Sequence, residues 1–231
     1  MVFPWADGNL QDFWEKTNLQ PENCPRNSSL ALWHAIQFLG MAEGLRLIHN
    51  PNTSDASTQT DVLREFGRHG DLKPENILWF SDHKVDDAAC QNGILKIADF
   101  GLADFHSKHS RSKVPNKTVG RSPTHRAPEA DAGEHVSPMY DVWSLGCILL
   151  QFSTWYLQGW KGVDEFASKL LKESRKRHGD PDLGVLREDN FFNTINRGDK
   201  VEAITKPSVA EVGSPLEGAP CRGYLHPISM R

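Results

Sequence analysis

Four short strings follow one another along this chain: HGDLKPEN at 69–76, DFG at 99–101, APE at 127–129 and DVWSLG at 141–146. The first two carry chemistry that a fold has to bring together. Asp71 and Asn76 lie five residues apart, so one tight loop can present both to a single site. Asp99 adds a second carboxylate. Hard oxygens of this kind suit magnesium, which takes one or two protein carboxylates beside phosphate oxygens and water. Lys73 can hold negative charge as a compact point charge. DFG or APE alone recurs by chance; HGDLKPEN sets several positions at once, and the ordered set is stronger than any member.

The flanks agree with the motifs. Ile77-Leu78-Trp79-Phe80 and Ile94-Leu95-Lys96-Ile97-Ala98 are apolar, strand-forming runs, and read as two paired strands beside the loop. The polar stretch between them is long for a tight hairpin, so 81–92 is taken as a surface insertion. Upstream, Leu30, Trp33, Phe38, Met41, Leu45 and Ile48 recur at three- and four-residue spacings. They predict a long amphipathic helix from Leu30 to His49, with a short helix before it around Asp12 to Lys16. Residues 50–67, opening on Pro51-Asn52-Thr53-Ser54-Asp55, read as an inserted loop. Asp141 to Leu150 is apolar on nearly every side and predicts a buried helix. Helical patches continue at Phe166, Leu170 and Leu171. After Lys206 the composition shifts to Pro, Gly and Ser, and 197–231 reads as a disordered tail.

With these motifs in this order the chain resembles the eukaryotic protein kinases of the serine/threonine type. Lys73-Pro74-Glu75 is the loop sequence of that type, and within the family the chain looks most like the divergent kinases of filamentous fungi. The resemblance runs from about Val2 to about Asn196. It implies an α+β, mainly α fold: a protein-kinase-like C-terminal lobe over 1–196, with a short β-hairpin pair beside the catalytic loop and the N-terminal lobe absent. It implies ATP and Mg2+ as cofactors and a protein substrate whose hydroxyl takes the γ-phosphate. Asp71 would accept or orient the hydroxyl proton, Lys73 would stabilise charge on the transferred phosphate, and Asn76 and Asp99 would hold magnesium. Ser122 would bond Asp71 and Lys73. Leu78 would form the floor under adenine, and backbone near Trp5 and Ala6 would bond its edge. Asp99 to Glu129 would be the activation segment. Asp141 would accept hydrogen bonds from the catalytic-loop backbone.

Some positions depart from the family pattern. Gly70 stands where Arg is usual, which is expected to loosen the loop. His125 stands where Tyr is usual. The segment Phe3 to Leu10 resembles the joint between the two lobes, and no Gly-rich loop, strand lysine or partnering helix glutamate is expected before it. Those groups clamp the phosphates in an active kinase. Two expectations from different classes follow. One is a serine/threonine kinase impaired or inactive as this chain alone. The other is a non-catalytic kinase-like interaction module or a truncated gene product.

Composition narrows the setting. A formal net charge of -4 over 231 residues offers no general attraction to nucleic acid. Cys24, Cys90, Cys147 and Cys221 have no metal-ligand spacing and read as unpaired thiols of a reducing compartment. No apolar run is long enough to span a membrane, and the start lacks the charged and apolar regions of a signal peptide. The chain is expected in the cytoplasm or nucleus and not secreted; its oligomeric state is left open.

Overall fold

The structure is a computed structural model that describes residues 4–16, 28–50, 65–81, 92–102, 104–107, 123–131, 137–174, 188–198 and 200–213. β1 (Gly8–Asn9) leads straight into α1 (Leu10–Lys16). Asp12 N–H donates to Asn9 Oδ1 at 2.9 Å and Asn9 N–H donates to Asp12 Oδ2 at 3.0 Å. This reciprocal box satisfies two of the donors a helix start leaves open. α2 (Ser28–His49) fills the predicted amphipathic run, burying Leu30, Trp33, Met41 and Leu45.

Two small antiparallel sheets follow. β3 (Ile77–Phe80) and β4 (Ile94–Ile97) pair in the register Ile77↔Ile97 through Phe80↔Ile94, and β1 adds an edge beside β3. Gly93 closes the β3–β4 link at φ 82, where a Cβ would come 2.2 Å from the Phe80 carbonyl; only glycine fits there. β2 (Glu65–Arg68) pairs with β5 (Asp104–Ser107). The predicted insertion at 50–67 therefore ends early: 65–67 are strand, because a partner 39 residues downstream at 104–107 supplies the ladder. Positions 51–64 and 82–91 lie outside the described residues.

α3 (Met139–Lys172) holds the predicted buried helix and runs well past it. It turns at Gly159, with φ 71 and ψ -171, a backbone state that residues with a Cβ rarely adopt. The chain then forms the hairpin β6 (Phe192–Arg197) and β7 (Lys200–Thr205), followed by α4 (Pro207–Gly213). The expected domain end at 196 and disordered tail from 197 do not hold for 197–198 and 200–213. A hairpin straddles that boundary, and Phe191, Phe192, Lys206 and Ser208 are buried. Positions 214–231 lie outside the described residues.

The core is aromatic. Phe13 packs on Trp33, Trp79 and Trp155 at 5.0–5.2 Å between ring centroids, and Phe152 packs on Trp14, Trp33 and Trp155 at 5.8 Å. Two of the indole N–H groups donate to backbone carbonyls, Trp33 to Gly93 at 2.7 Å and Trp155 to Trp14 at 3.0 Å. Truncating any one of these rings to Ala costs about 3–5 kcal/mol. Among the described residues no helix is long and apolar enough to cross a membrane.

Two histidines, His125 buried and His34 half-buried, are expected to make the fold pH-sensitive. His34 sits edge-on to Phe152 at 4.2 Å. His125 shares a 2.7 Å hydrogen bond between its Nε2 and Gln151 Oε1, while its Nδ1 is buried without a partner. Burial pushes both imidazoles below their ordinary pKa; for His125 the Gln151 bond opposes this. Both are thus carried neutral in the folded chain. Between their folded values and about 6.5 the unfolded chain binds protons that the folded chain refuses, so stability is lost as pH falls below about 6.5. Urea midpoints between pH 7 and 5.5 should drop by up to about 1.4 kcal/mol per pH unit for each histidine, with a smaller drop in His125→Tyr. A flat wild-type profile would contradict this.

Candidate active site

The loop His69 to Asn76 is held from three sides. From below, Asp141 at the start of α3 is fully buried. Its carboxylate accepts from His69 N–H and Gly70 N–H at 2.8 Å each, and meets His49 Nε2 at 2.9 Å. Gly70 has φ 83, the left-handed region that glycine enters without strain. With its N–H anchored, Gly70 sits in a fixed turn, contrary to the looseness expected of it.

From the side, β4 and the DFG string close on the loop. Asp71 N–H donates to His69 Nδ1 at 3.3 Å, which leaves the imidazole proton on Nε2, donating to the Ala98 carbonyl at 2.9 Å. Ala98 N–H in turn donates to the Asn76 carbonyl at 2.9 Å. Both ends of the loop are thus tied to the residue before Asp99. Asp99 has φ 61, an uncommon state that Asp tolerates better than bulkier residues and that collects at functional sites. Its carboxylate accepts from Gly101 N–H at 3.2 Å and is exposed.

Within the loop, Asn76 Nδ2 donates to the Asp71 carbonyl at 2.8 Å and to Asp71 Oδ2 at 3.1 Å. Lys73 Nζ lies 2.9 Å from the same Oδ2. The bond from Asp71 holds the Lys73 ammonium above its ordinary pKa against the cost of burial, and the charges of Asp71, Glu75 and Asp99 add to the pull. Asp71, Lys73, Asn76 and Asp99 therefore stand in one neighbourhood. Asn76 spends its Nδ2 on Asp71, which leaves its amide Oδ1 and the exposed Asp99 carboxylate as two hard oxygens. That pair fits magnesium, which binds through few protein oxygens and completes its shell elsewhere. Among the described residues no group of three or more His, Cys, Asp or Glu gathers as an alternative metal site.

A family model of the protein kinase domain matches residues 39–197. The chain belongs to the protein kinase family. The protein-kinase-like fold is accordingly mainly helical with small antiparallel sheets. Its relatives are serine/threonine and dual-specificity kinases. Serine/threonine-protein kinase chk-1 of Caenorhabditis briggsae is 31% identical over 118 residues, covering 51% of this chain and 19% of that protein. Dual specificity protein kinase CLK4 of Homo sapiens is 37% identical over 93 residues, 36% of this chain and 18% of that protein. This kinase chain spans less than a fifth of the length of either. A solved structure of the yeast RNA Pol II CTD kinase CTDK-1 complex aligns over 66% of this chain and 38% of its own, at 25% identity and a TM-score of 0.44.

The remaining expected site residues are spread along this kinase domain. Leu78 and Phe80 stand on the sheet face opposite the buried Ile77, and Lys96 Nζ lies 5.1 Å from the Phe80 ring. Trp5 and Ala6 come just before β1. The strand is prolonged by Asp7, whose N–H donates to the Trp79 carbonyl at 2.9 Å and whose Oδ2 accepts from Ser81 N–H at 2.7 Å. The Trp5 ring is 96% exposed, unlike the other described tryptophans. Ser122 lies outside the described residues.

Several contacts around the site were not anticipated. His49 meets Asp141 across 92 positions, and Arg126 pairs with both Asp131 (2.9 Å) and Glu188 (2.6 Å). For His49 a signal existed, its place at the end of the helix that leads to the loop. For Arg126, Asp131 lies only five residues on, but Glu188 is 62 positions away and too remote in sequence to be read.

Proposed function

We propose that this chain is the catalytic-loop half of an ATP-dependent protein serine/threonine kinase, moving the γ-phosphate of ATP to a protein hydroxyl. The observation that carries the reading is the joint clasp on Asp71: Lys73 and Asn76 both bond its Oδ2, within reach of Asp99. Asp71 accepts or orients the proton of the substrate hydroxyl, as a carboxylate within hydrogen-bond reach can. Lys73 stabilises charge on the transferred group. Asn76 and Asp99 hold magnesium, which neutralises and orients the phosphates when bound. Leu78 supports the adenine ring and the backbone at Trp5 and Ala6 bonds its edge.

No Gly-x-Gly-x-x-Gly string occurs in the 231 residues, so the phosphate clamp of the family template is not supplied by them. Transfer by this chain alone is therefore expected to be slow, because positioning and preorganised charge provide most of the rate. The test is transfer of radiolabelled γ-phosphate to a serine peptide, for this chain and for the chain joined to a segment bearing the glycine loop and lysine. Magnesium-dependent transfer that rises on joining and falls in Asp99→Asn supports the reading. Absence of transfer from both forms would end it.

A second reading, a non-catalytic interaction module, is favoured by Leu32, Leu39 and Leu47 on α2, which are 52%, 70% and 51% exposed. Apolar side chains on one helix can mark a contact surface. Transfer by the joined chain would count against it.

A further inference from the structure

Outside the loop, one heavily bonded side chain of the described fold is a lysine that no step above uses. Lys206, between β7 and α4, is fully buried. Its Nζ reaches four oxygens: the Leu170 carbonyl at 2.9 Å, Ser174 Oγ at 3.1 Å, the Glu188 carbonyl at 2.8 Å and Asn190 Oδ1 at 2.8 Å. The Leu170 carbonyl belongs to the last turn of α3, where a cation is favoured. Lys206 thereby fastens the strand entry 188–190 to the end of α3.

Two of these residues, Glu188 and Asp189, are also held by the segment 124–126. Thr124 Oγ1 donates to Asp189 Oδ1 at 2.6 Å and Arg126 Nη2 to Glu188 Oε2 at 2.6 Å, while the His125 ring lies 6.4 Å from that of Phe191. Residues 124–126 are anchored below by Ser144, whose Oγ donates to the His125 carbonyl at 2.8 Å. Ser144 lies one turn along α3 from Asp141, which holds the catalytic loop. His125 also feels the charges of Glu75, Asp189 and Asp71. The strap 124–126 is thus tied to the 188–189 segment on one hand and, through Ser144, to the helix whose Asp141 holds the catalytic loop on the other.

We propose that Lys206 is a positioning residue of this site: through Glu188–Asn190 it fixes the strap Thr124–Arg126 beside Asp71, and so sets where the peptide substrate lies. Its meaning for catalysis rests on the kinase reading above; the mechanical coupling does not. An apolar residue of equal length would fill this volume without desolvating a charge, so the ammonium serves to select one arrangement of the oxygens around it. Burial lowers its pKa to about 8 against the opposing pull of Asp189, Glu173 and Glu188, which leaves it mostly protonated at neutral pH.

The test is amide hydrogen exchange of the full chain in wild type, Lys206→Met and the milder Asn190→Ala, which removes one of the four acceptors. Exchange over 123–127 should quicken about tenfold or more in every variant that folds, with α1 and the first half of α3 unchanged. Wild-type protection of 123–127 in folded Asn190→Ala overturns the proposal, as does loosening spread evenly over the chain. In the joined, transferring form, the KM for peptide should rise about tenfold with the KM for ATP unchanged. A merely structural residue would lower kcat by reducing the active fraction and leave both KM values alone, and that result also overturns the proposal. If no form transfers phosphate while exchange at 123–127 responds as expected, the kinase reading falls and the coupling stands.

Discussion

Asp141→Ala is expected to cost about 3–5 kcal/mol, the range for removing one partner from a buried charged network. The carboxylate is fully buried and accepts from two backbone N–H groups while meeting His49. Taking it away leaves those two donors buried without acceptors, and each such orphan costs about 1–3 kcal/mol. A domain of this size has only about 5–15 kcal/mol of stability, so the variant should be largely unfolded at 37 °C. Urea denaturation followed by tryptophan fluorescence reads this directly. Asp141→Asn should fall between the two, because an amide offers one acceptor oxygen in place of two. A midpoint for Asp141→Ala within about 0.5 kcal/mol of wild type would show that the loop is held by something else.

Asp71→Asn has the opposite profile. Phosphoryl transfer by the joined, transferring form should fall by about 10²–10⁴, the usual contribution of a positioned general base. Stability should change little. Asn keeps the shape and one oxygen for Asn76 Nδ2, and loses mainly the pair with Lys73, whose side chain is 25% exposed. Asp71 itself is buried, with its side chain 9% exposed, but the partly open ammonium can turn to water, so the cost stays nearer the roughly 1 kcal/mol of an exposed pair than the roughly 3–5 kcal/mol of a fully buried one. Transfer assays beside urea melts separate the two effects. Undiminished transfer in a folded Asp71→Asn would remove Asp71 from the chemistry. Set together, the two variants distinguish the residue that acts from the residue that holds it in place.

Much of the local structure was legible before any coordinates. The spacing of Leu30, Trp33, Met41 and Leu45 predicted α2, and the apolar runs at 77–80 and 94–98 predicted β3 and β4 to within one residue. In each case the pattern is local, because the helix period and the strand run are written in consecutive residues. The hairpin β6–β7 was missed although Gly198-Asp199 lies between Phe192–Arg197 and Lys200–Thr205. The Pro- and Gly-rich composition beyond it drew the boundary too early, and Gly198 at φ 65 is the turn residue that could have placed the hairpin. Strand β2 was missed because its partner is remote and the run Glu65–Arg68 has no apolar alternation.

The family was already written in the linear order of four strings, and Asp, Lys and Asn at those short separations can occupy a single turn. What lay beyond reach was how that turn is held. Asp141 reaching back 71 and 72 positions to Gly70 and His69, His49 reaching forward 92, and Lys206 gathering oxygens from 170 to 190 are contacts between residues far apart along the chain. A buried Lys or Asp looks, in a string of letters, like any solvated one. Only when helices and strands pack does burial remove the water and oblige each charge to find its particular partners.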